Sequence, residues 1–248
     1  MRIVSLEMSA LLSVLVIPAS VQGMEDGVGD PGLLDAGVEK SGTPPALIES
    51  KLKDWFDHWR KWLPDLTGES LRRQYAGPYS FIPPYPWDPD RSWVKLKSRT
   101  FIPSPDSSML LDPYVTMEIF IKDGRVQWGF DVDVGVGLAD LKAEKFGRIL
   151  YTGPSMVYEE AAWLADSIVV VAGREYVFKG DPPLYRPDSS FYVLTLDIID
   201  LGADSLSHWA GPRVGEAEFT RMKMGSYISR KMASLYSDDT LSVYFEEN

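Results

Sequence analysis

The chain has 248 residues, of which 45% are hydrophobic and 25% charged, a composition typical of a folded protein with a substantial core. Thirty-six acidic against 25 basic residues give a net charge of −11, and a surface this acidic repels phosphate backbones, so we expect no nucleic-acid partner. Cysteine is absent and the histidines are His58 and His208, which excludes disulfides, thiol catalysis and cysteine-based metal sites. No phosphate loop, dinucleotide fingerprint or zinc-hydrolase motif occurs, and we predict no cofactor.

Residues 1–23 have the pattern of an export signal. Arg2 supplies a basic n-region, the residues from Met8 to Ile17 form an apolar h-region, and small residues up to Gly23 suit a cleavage site. Glu7 is unusual in such a pattern, and the alternative is an ordinary N-terminal hydrophobic strand or helix. The apolar run is shorter than the ~20 residues that cross a bilayer. We therefore predict an exported protein, periplasmic or extracellular, with no transmembrane segment in the mature chain.

The rest of the chain divides into a linker and a domain. Residues 24–42 are rich in glycine and acids without a period, which predicts a flexible acidic linker. Residues 43–248 are predicted to form a single β-rich domain.

An amphipathic helix is predicted over residues 44–63, where apolar side chains recur at helical spacing and Pro44 occupies the first turn. Its apolar face carries Trp55, Trp59 and Trp62. Such a stripe could stack sugars or dock a partner, but we expect it to pack on the sheet of its own domain. A proline-rich and aromatic segment follows at residues 77–90 and predicts an extended strap, because proline removes ladder donors.

A hairpin is predicted around the Asp123-Gly124 turn. Its second arm alternates apolar and polar residues from Val126 to Val136, which places Asp131 and Asp133 together on the polar face of one strand. Two carboxylates could bind a hard cation such as calcium, and the alternative is a solvated polar face.

Two passages between residues 101 and 212 are alike and predict a repeated meander. The first runs from Asp106 to Gly153-Pro154, which is 47 residues to Gly153, and the second from Asp166 to Gly211-Pro212, which is 45 residues to Gly211. The second copy contains the β-branched run from Ile168 to Val171, typical of a strand buried on both faces.

Each copy also contains a strand that ends in Asp-Leu, at residues 140–141 and 200–201. The Ser104-Pro105-Asp106 opening, the apolar strand after it and the later Asp-Leu ending resemble the blades of TolB-like and WD-type β-propellers. Ser107 stands where those blades usually carry glycine. The resemblance implies an interaction scaffold and transfers no catalytic residue. Because a propeller needs at least ~4 blades, we expect blade-like antiparallel sheets, as a sandwich or open meander.

The remaining candidates are carboxylates and the C-terminal segment. Glu159 and Glu160 precede a tryptophan and suggest a glycosidase pair, but neighbouring residues of an extended strand point to opposite faces, so we expect them not to act together. A partner such as Asp112, Asp131 or Asp133 would be needed. Residues 216–246 predict a helix followed by a short strand.

The predicted fold is thus mainly β, with antiparallel blade-like sheets, an amphipathic helix packed at the N-terminus and a helix near the C-terminus. The leading functional hypothesis is an exported non-catalytic binding or interaction module with a protein or glycan partner. Aromatic side chains are common at recognition surfaces. The candidate binding residues of this hypothesis are Trp87, Trp93, Tyr185 and Trp209. The alternatives are a carboxylate-dependent hydrolase of an extracellular or cell-wall glycan, and a structural accessory subunit.

Overall fold

A computed structural model of the protein describes residues 45–79, 85–86, 92–122, 125–130, 133–153, 155–177, 191–215 and 226–236. All of them belong to one unit, Thr43–Asn248. The predicted export signal, linker and final strand lie outside the described residues, as do most of the strap at 77–90 and the side chains of these candidates: Trp87, Trp93, Asp131 and Tyr185.

Strands form most of the described chain. They are β1 (Arg72–Pro78), β2 (Tyr85–Pro86), β3 (Ile102–Pro103), β4 (Met109–Asp112), β5 (Met117–Lys122), β6 (Arg125–Phe130), β7 (Val134–Asp140), β8 (Lys145–Thr152), β9 (Met156–Ala165), β10 (Ile168–Val177), β11 (Phe191–Asp200) and β12 (Ser205–Gly215). The helices are α1 (Pro45–Lys51), α2 (Lys53–Trp59), α3 (Ser92–Lys97) and α4 (Ser226–Leu235). No helix in these described ranges has the length and apolar character needed to cross a bilayer.

The strands make two five-stranded antiparallel sheets. Sheet 1 has the order β2-β8-β7-β4-β3, and sheet 2 has the order β1-β12-β11-β10-β9. The hairpin β5–β6 is a separate two-stranded sheet inserted between β4 and β7. Each large sheet therefore contains a four-stranded meander, β3-β4-β7-β8 in sheet 1 and β9-β10-β11-β12 in sheet 2. One strand from earlier in the chain pairs with the last strand of each meander: β2 with β8, and β1 with β12.

Two hydrophobic clusters lie on opposite faces of sheet 2, because β10 buries side chains on both faces. Val169 and Val171 of β10 pack with sheet 1 residues such as Val136 and Leu150. Val170 and Ala172 face the other way, into a cluster formed with the helices and the β5–β6 hairpin. The molecule is thus layered as sheet 1, sheet 2, and then helices with the hairpin. The predicted mainly β fold with antiparallel sheets and two flanking helices is confirmed.

The two meanders share their turn chemistry. Asp140 Oδ1 accepts the backbone N–H groups of the second and third residues after it, and Asp200 Oδ1 does the same in sheet 2. Each turn ends on a residue in the left-handed region, Glu144 (φ 53°) and Asp204 (φ 47°). In each copy the leucine after the aspartate donates its N–H to a serine carbonyl of the preceding turn. Aspartate suits this position because its side chain bonds backbone N–H groups two and three residues on.

Three details differ from the sequence expectations. The helix predicted over 44–63 is two helices separated at Leu52. The alternating stretch from Val126 to Val136 is two strands in different sheets, since β6 ends at Phe130 and β7 begins at Val134. Gly211-Pro212 does not end the second copy but lies inside β12, where the register with β11 shifts. Proline lacks the N–H that a regular ladder needs, which fits its position at an irregularity.

Candidate functional site

A β-bulge in β9 sets the position of the two adjacent glutamates. Tyr158 pairs with Gly173 and Glu160 pairs with Ala172, so Glu159 has no residue opposite it in β10. A Cβ at Gly173 would lie 2.2 Å from the carbonyl oxygen of Val157, so the close approach of the two strands requires glycine here. Because the bulge interrupts the alternation of side chains, Glu159 and Glu160 both reach the helical layer. The expectation that they point to opposite faces is wrong for this reason.

Glu159 holds the first two helices on sheet 2. Its side chain is buried, and its Oε2 accepts hydrogen bonds of 2.9 Å from the indole N–H groups of both Trp55 and Trp59 in α2. Its Oε1 forms an ion pair with Arg174 of β10, which is also buried. Burial lowers the pKa of Arg174 to about 10, which leaves the guanidinium charged at neutral pH. The charge of Glu159 is therefore compensated inside the core.

Glu160 makes the corresponding contacts with the C-terminal helix. Its Oε2 accepts the hydroxyl of Tyr227 and lies 2.5 Å from Nζ of Lys231, both in α4. Burial, the charge of Glu160 and its hydrogen bond raise the pKa of Tyr227 far above its usual value, so the phenol stays protonated and acts as a donor. His58 of α2 contacts the rings of both Trp59 and Tyr227, which joins the two helices over the bulge.

A third buried pair joins α3 to sheet 1. Nζ of Lys97 lies 3.1 Å from Oδ2 of Asp112, and both side chains are almost fully buried. Asp112 also accepts the backbone N–H of Tyr114. Asp112 and the two glutamates are thus committed to structural contacts.

A different group of polar residues lies on the face of sheet 2 that is turned towards sheet 1. Asp197 of β11 is opposite His208 of β12, and Nδ1 of the imidazole lies 2.7 Å from Oδ1 of the carboxylate. Asp197 is only 4% exposed, whereas His208 is half-buried. The hydrogen bond to Asp197 raises the pKa of His208, burial opposes that shift, and the charges of Asp197 and Glu175 add to it.

His208 opens into a cleft of about 470 Å³, which we call the His208 cleft. Strands β1, β10, β11 and β12 and the 3-10 turn at Gly68–Ser70 supply its lining: Ser70, Arg72, Gln74, Glu175, Val193, His208, Ala210, Gly211, Pro212 and Arg213. Gly211 and Pro212, where the register between β11 and β12 is irregular, thus line the cleft. A smaller cleft of about 240 Å³ is lined by acidic residues of α2 and by basic residues that include Lys231 of α4, which contacts Glu160.

The structure places two of the sequence-predicted site residues. Trp209 is half-buried and packs against the helical-layer cluster, and its indole N–H has no hydrogen-bond partner within the described ranges. Because neighbouring residues of a strand alternate, it lies on the face of β12 opposite His208. Sequence reasoning therefore selected the tryptophan and missed the histidine beside it. The sequence signal that could have pointed to His208 is the rarity of histidine, which occurs twice in the chain.

Asp133 lies between β6 and β7 and accepts a hydrogen bond from the hydroxyl of Tyr151. Its proposed metal partner, Asp131, is outside the described residues. Within the part of the chain that the structure describes, no three His, Asp or Glu side chains are grouped so that they could hold a metal ion.

Comparisons with protein-family models, curated proteins and solved structures gave no match. The class of protein is therefore defined by the fold and the clefts themselves. It is a two-sheet antiparallel β protein with helices on the outer face of sheet 2 and a polar cleft on the inner face.

Proposed function

We propose that the protein is an exported, non-catalytic binding module that recognises a protein or glycan partner, with its ligand in the His208 cleft. Export is supported by the residue pattern at 1–23. The observation that carries the binding site is the buried Asp197, which has apolar neighbours on its sheet face and is linked through His208 to an open cleft.

The energetic argument concerns the residues that surround Asp197. Val171 is opposite it in β10 and Ile199 is two residues further along β11, and both are fully buried in the cluster between the sheets. A carboxylate in such surroundings costs stability unless it is paired, and an apolar residue of similar size is often as stable. A polar pair that opens into a cleft therefore favours a role in binding.

The hydrolase alternative requires two accessible carboxylates about 5–10 Å apart. Glu159 and Glu160 are 1% and 6% exposed, and each is paired with a cation. Their contacts explain them as anchors for helices, so they give no support to a glycosidase role.

The test is a thermal-shift screen of the purified full-length chain against oligosaccharides, cell-wall fragments and peptides. A ligand at 100 times its Kd stabilises the folded state by about 2.7 kcal/mol, which gives a readable rise in the unfolding midpoint. We expect the ligand-induced rise to be lost in His208→Gln, with each variant measured against its own ligand-free midpoint.

The matched control is Arg73→Gln, because Arg73 lies on β1 next to Arg72 but does not line the cleft. A ligand-induced rise that persists in His208→Gln would place the binding site elsewhere. The absence of any ligand-induced rise would overturn the proposed function for these ligand classes.

A further inference from the structure

The charge of the His208 cleft differs from that of the whole protein. The chain carries a net charge of −11, yet the cleft is lined by two arginines, Arg72 and Arg213, against one carboxylate, Glu175, while the charge of a protonated His208 is balanced by Asp197. Clefts lined by one sign of charge concentrate ligands of the opposite sign. The cleft is thus a local positive region on an acidic protein.

The two guanidinium groups keep donors for a ligand. The guanidinium of Arg213 lies over the ring of Phe191, with its Cζ 4.7 Å from the ring centre. This contact uses the flat face of the guanidinium. Arg72 donates one N–H to the carbonyl oxygen of Glu69 at 2.5 Å. Within the described residues, neither arginine forms an ion pair with a carboxylate. Arginine carries five N–H donors in a planar fork that fits carboxylate and phosphate oxygens.

The imidazole of His208 is also held in a fixed orientation, by its hydrogen bond to Asp197. Its Nδ1 is bound to Asp197, which leaves Nε2 as the ring nitrogen for the cleft. The charged groups around it come from all four strands: Asp197 of β11, Glu175 of β10, Arg72 of β1 and Arg213 of β12. Tyr158 and Tyr79 lie near Asp197, and burial raises the pKa of both phenols, that of Tyr79 to about 12, so both stay neutral.

We propose that the His208 cleft binds the carboxylate or phosphate group of an anionic ligand, held by Arg72, Arg213 and a protonated His208. The inference rests on the proposed function, since it names the ligand chemistry of the same cleft. Asp197 orients the imidazole and favours its protonated form, and a bound anion favours that form further. Binding therefore takes up a proton at any pH where the ring of the free protein is partly neutral.

The experiment is isothermal titration calorimetry of the full-length chain with glucuronate and with sulfate, neither of which titrates between pH 5.5 and 8.5. Glucose, which lacks the carboxylate of glucuronate, is the matched neutral ligand. Glucuronate represents a carboxylate source and sulfate stands for a phosphate-type anion. We expect at least one anion to bind and glucose to show no binding. Above the pKa of His208 the apparent Kd should rise by up to about tenfold per pH unit, because the anion binds the protonated imidazole more tightly than the neutral ring.

The variants separate the contributions. Arg213→Gln should weaken anion binding about 10- to 100-fold, the loss typical of a charge-assisted contact, whereas Arg73→Gln should leave it unchanged. His208→Gln should remove the pH dependence. Anion binding with a pH-independent Kd, or equal binding of glucose, would overturn this inference. Failure of both anions to bind would also overturn it, while a neutral ligand that binds in a His208-dependent way would leave the proposed function intact.

Discussion

Replacing Glu159 with alanine removes the carboxylate that binds Arg174 and the indole N–H groups of Trp55 and Trp59. The guanidinium would remain in the core, with its side chain only 7% exposed, and would lose this counter-ion. Breaking a buried ion pair from one side costs about 3–5 kcal/mol. Since small domains unfold with about 5–15 kcal/mol, the variant should lose a large part of its stability.

The double variant Glu159→Leu with Arg174→Met isolates the electrostatic part of this loss. It buries no charge, so the remaining cost is that of the two indole N–H groups, about 1–3 kcal/mol each if they stay unbonded. We therefore expect the double variant to lose less stability than the sum of the losses of Glu159→Leu alone and Arg174→Met alone, with a coupling of about 2–3 kcal/mol.

Urea unfolding followed by tryptophan fluorescence measures these changes, because Trp55 and Trp59 are buried at the site. Asp57→Ala is the control, since Asp57 is paired with Lys53 on the exposed side of α2 and should change stability little. A Glu159→Ala variant that unfolds within about 1 kcal/mol of the wild type would refute the role given to the buried pair. Additive losses in the double variant would refute the ion pair itself.

Three further outcomes follow from the strands and turns. Gly173→Ala should destabilise the fold by about 1–3 kcal/mol in thermal unfolding, because the new methyl group meets the carbonyl oxygen of Val157; an unchanged midpoint would contradict the bulge geometry. Asp200→Ala removes the acceptor of two turn N–H groups and should cost about 1–3 kcal/mol, whereas Asp200→Asn should cost less. Asp197→Asn should lower the pKa of His208 in an NMR titration of the imidazole, since the hydrogen bond to the carboxylate is the main cause of its rise. The pKa of His208 in the folded wild type lies above the reference value of 6.5, so protonation of His208 stabilises the fold. This stabilisation is fully present below pH 6.5 and is lost as the pH rises through the pKa of the folded state. A wild type whose stability lacks this pH dependence would count against the pair of His208 and Asp197.

The sequence predicted features that depend on local pattern. The β-branched run at Ile168–Val171, the hairpin β5–β6 and the apolar face of α2 each follow from residues within one element. The aspartate turns at Asp140 and Asp200 are likewise local, because each carboxylate accepts backbone N–H groups two and three residues on.

Features that depend on the register of paired strands could not be predicted. The bulge at Glu159 is set by the close approach of Gly173, which is 14 positions away in the sequence. The pair of Asp197 and His208 exists because β11 and β12 align them, and no spacing rule within either strand indicates it. The arginines of the cleft come from β1 and β12, which are far apart in sequence but adjacent in sheet 2.

The bulge in β9 also has a consequence for the order in which the chain folds. Its two glutamates bind α2, about 100 residues upstream (104 from Glu159 to Trp55), and α4, about 70 residues downstream (67 from Glu160 to Tyr227). Contacts over such separations carry a larger loop-closure entropy than those of the β9–β12 meander, whose consecutive strands are joined by 2, 13 and 4 residues. The meander is thus the expected folding nucleus. Both helices should dock late, and their amide protons should exchange with solvent sooner than those of β10.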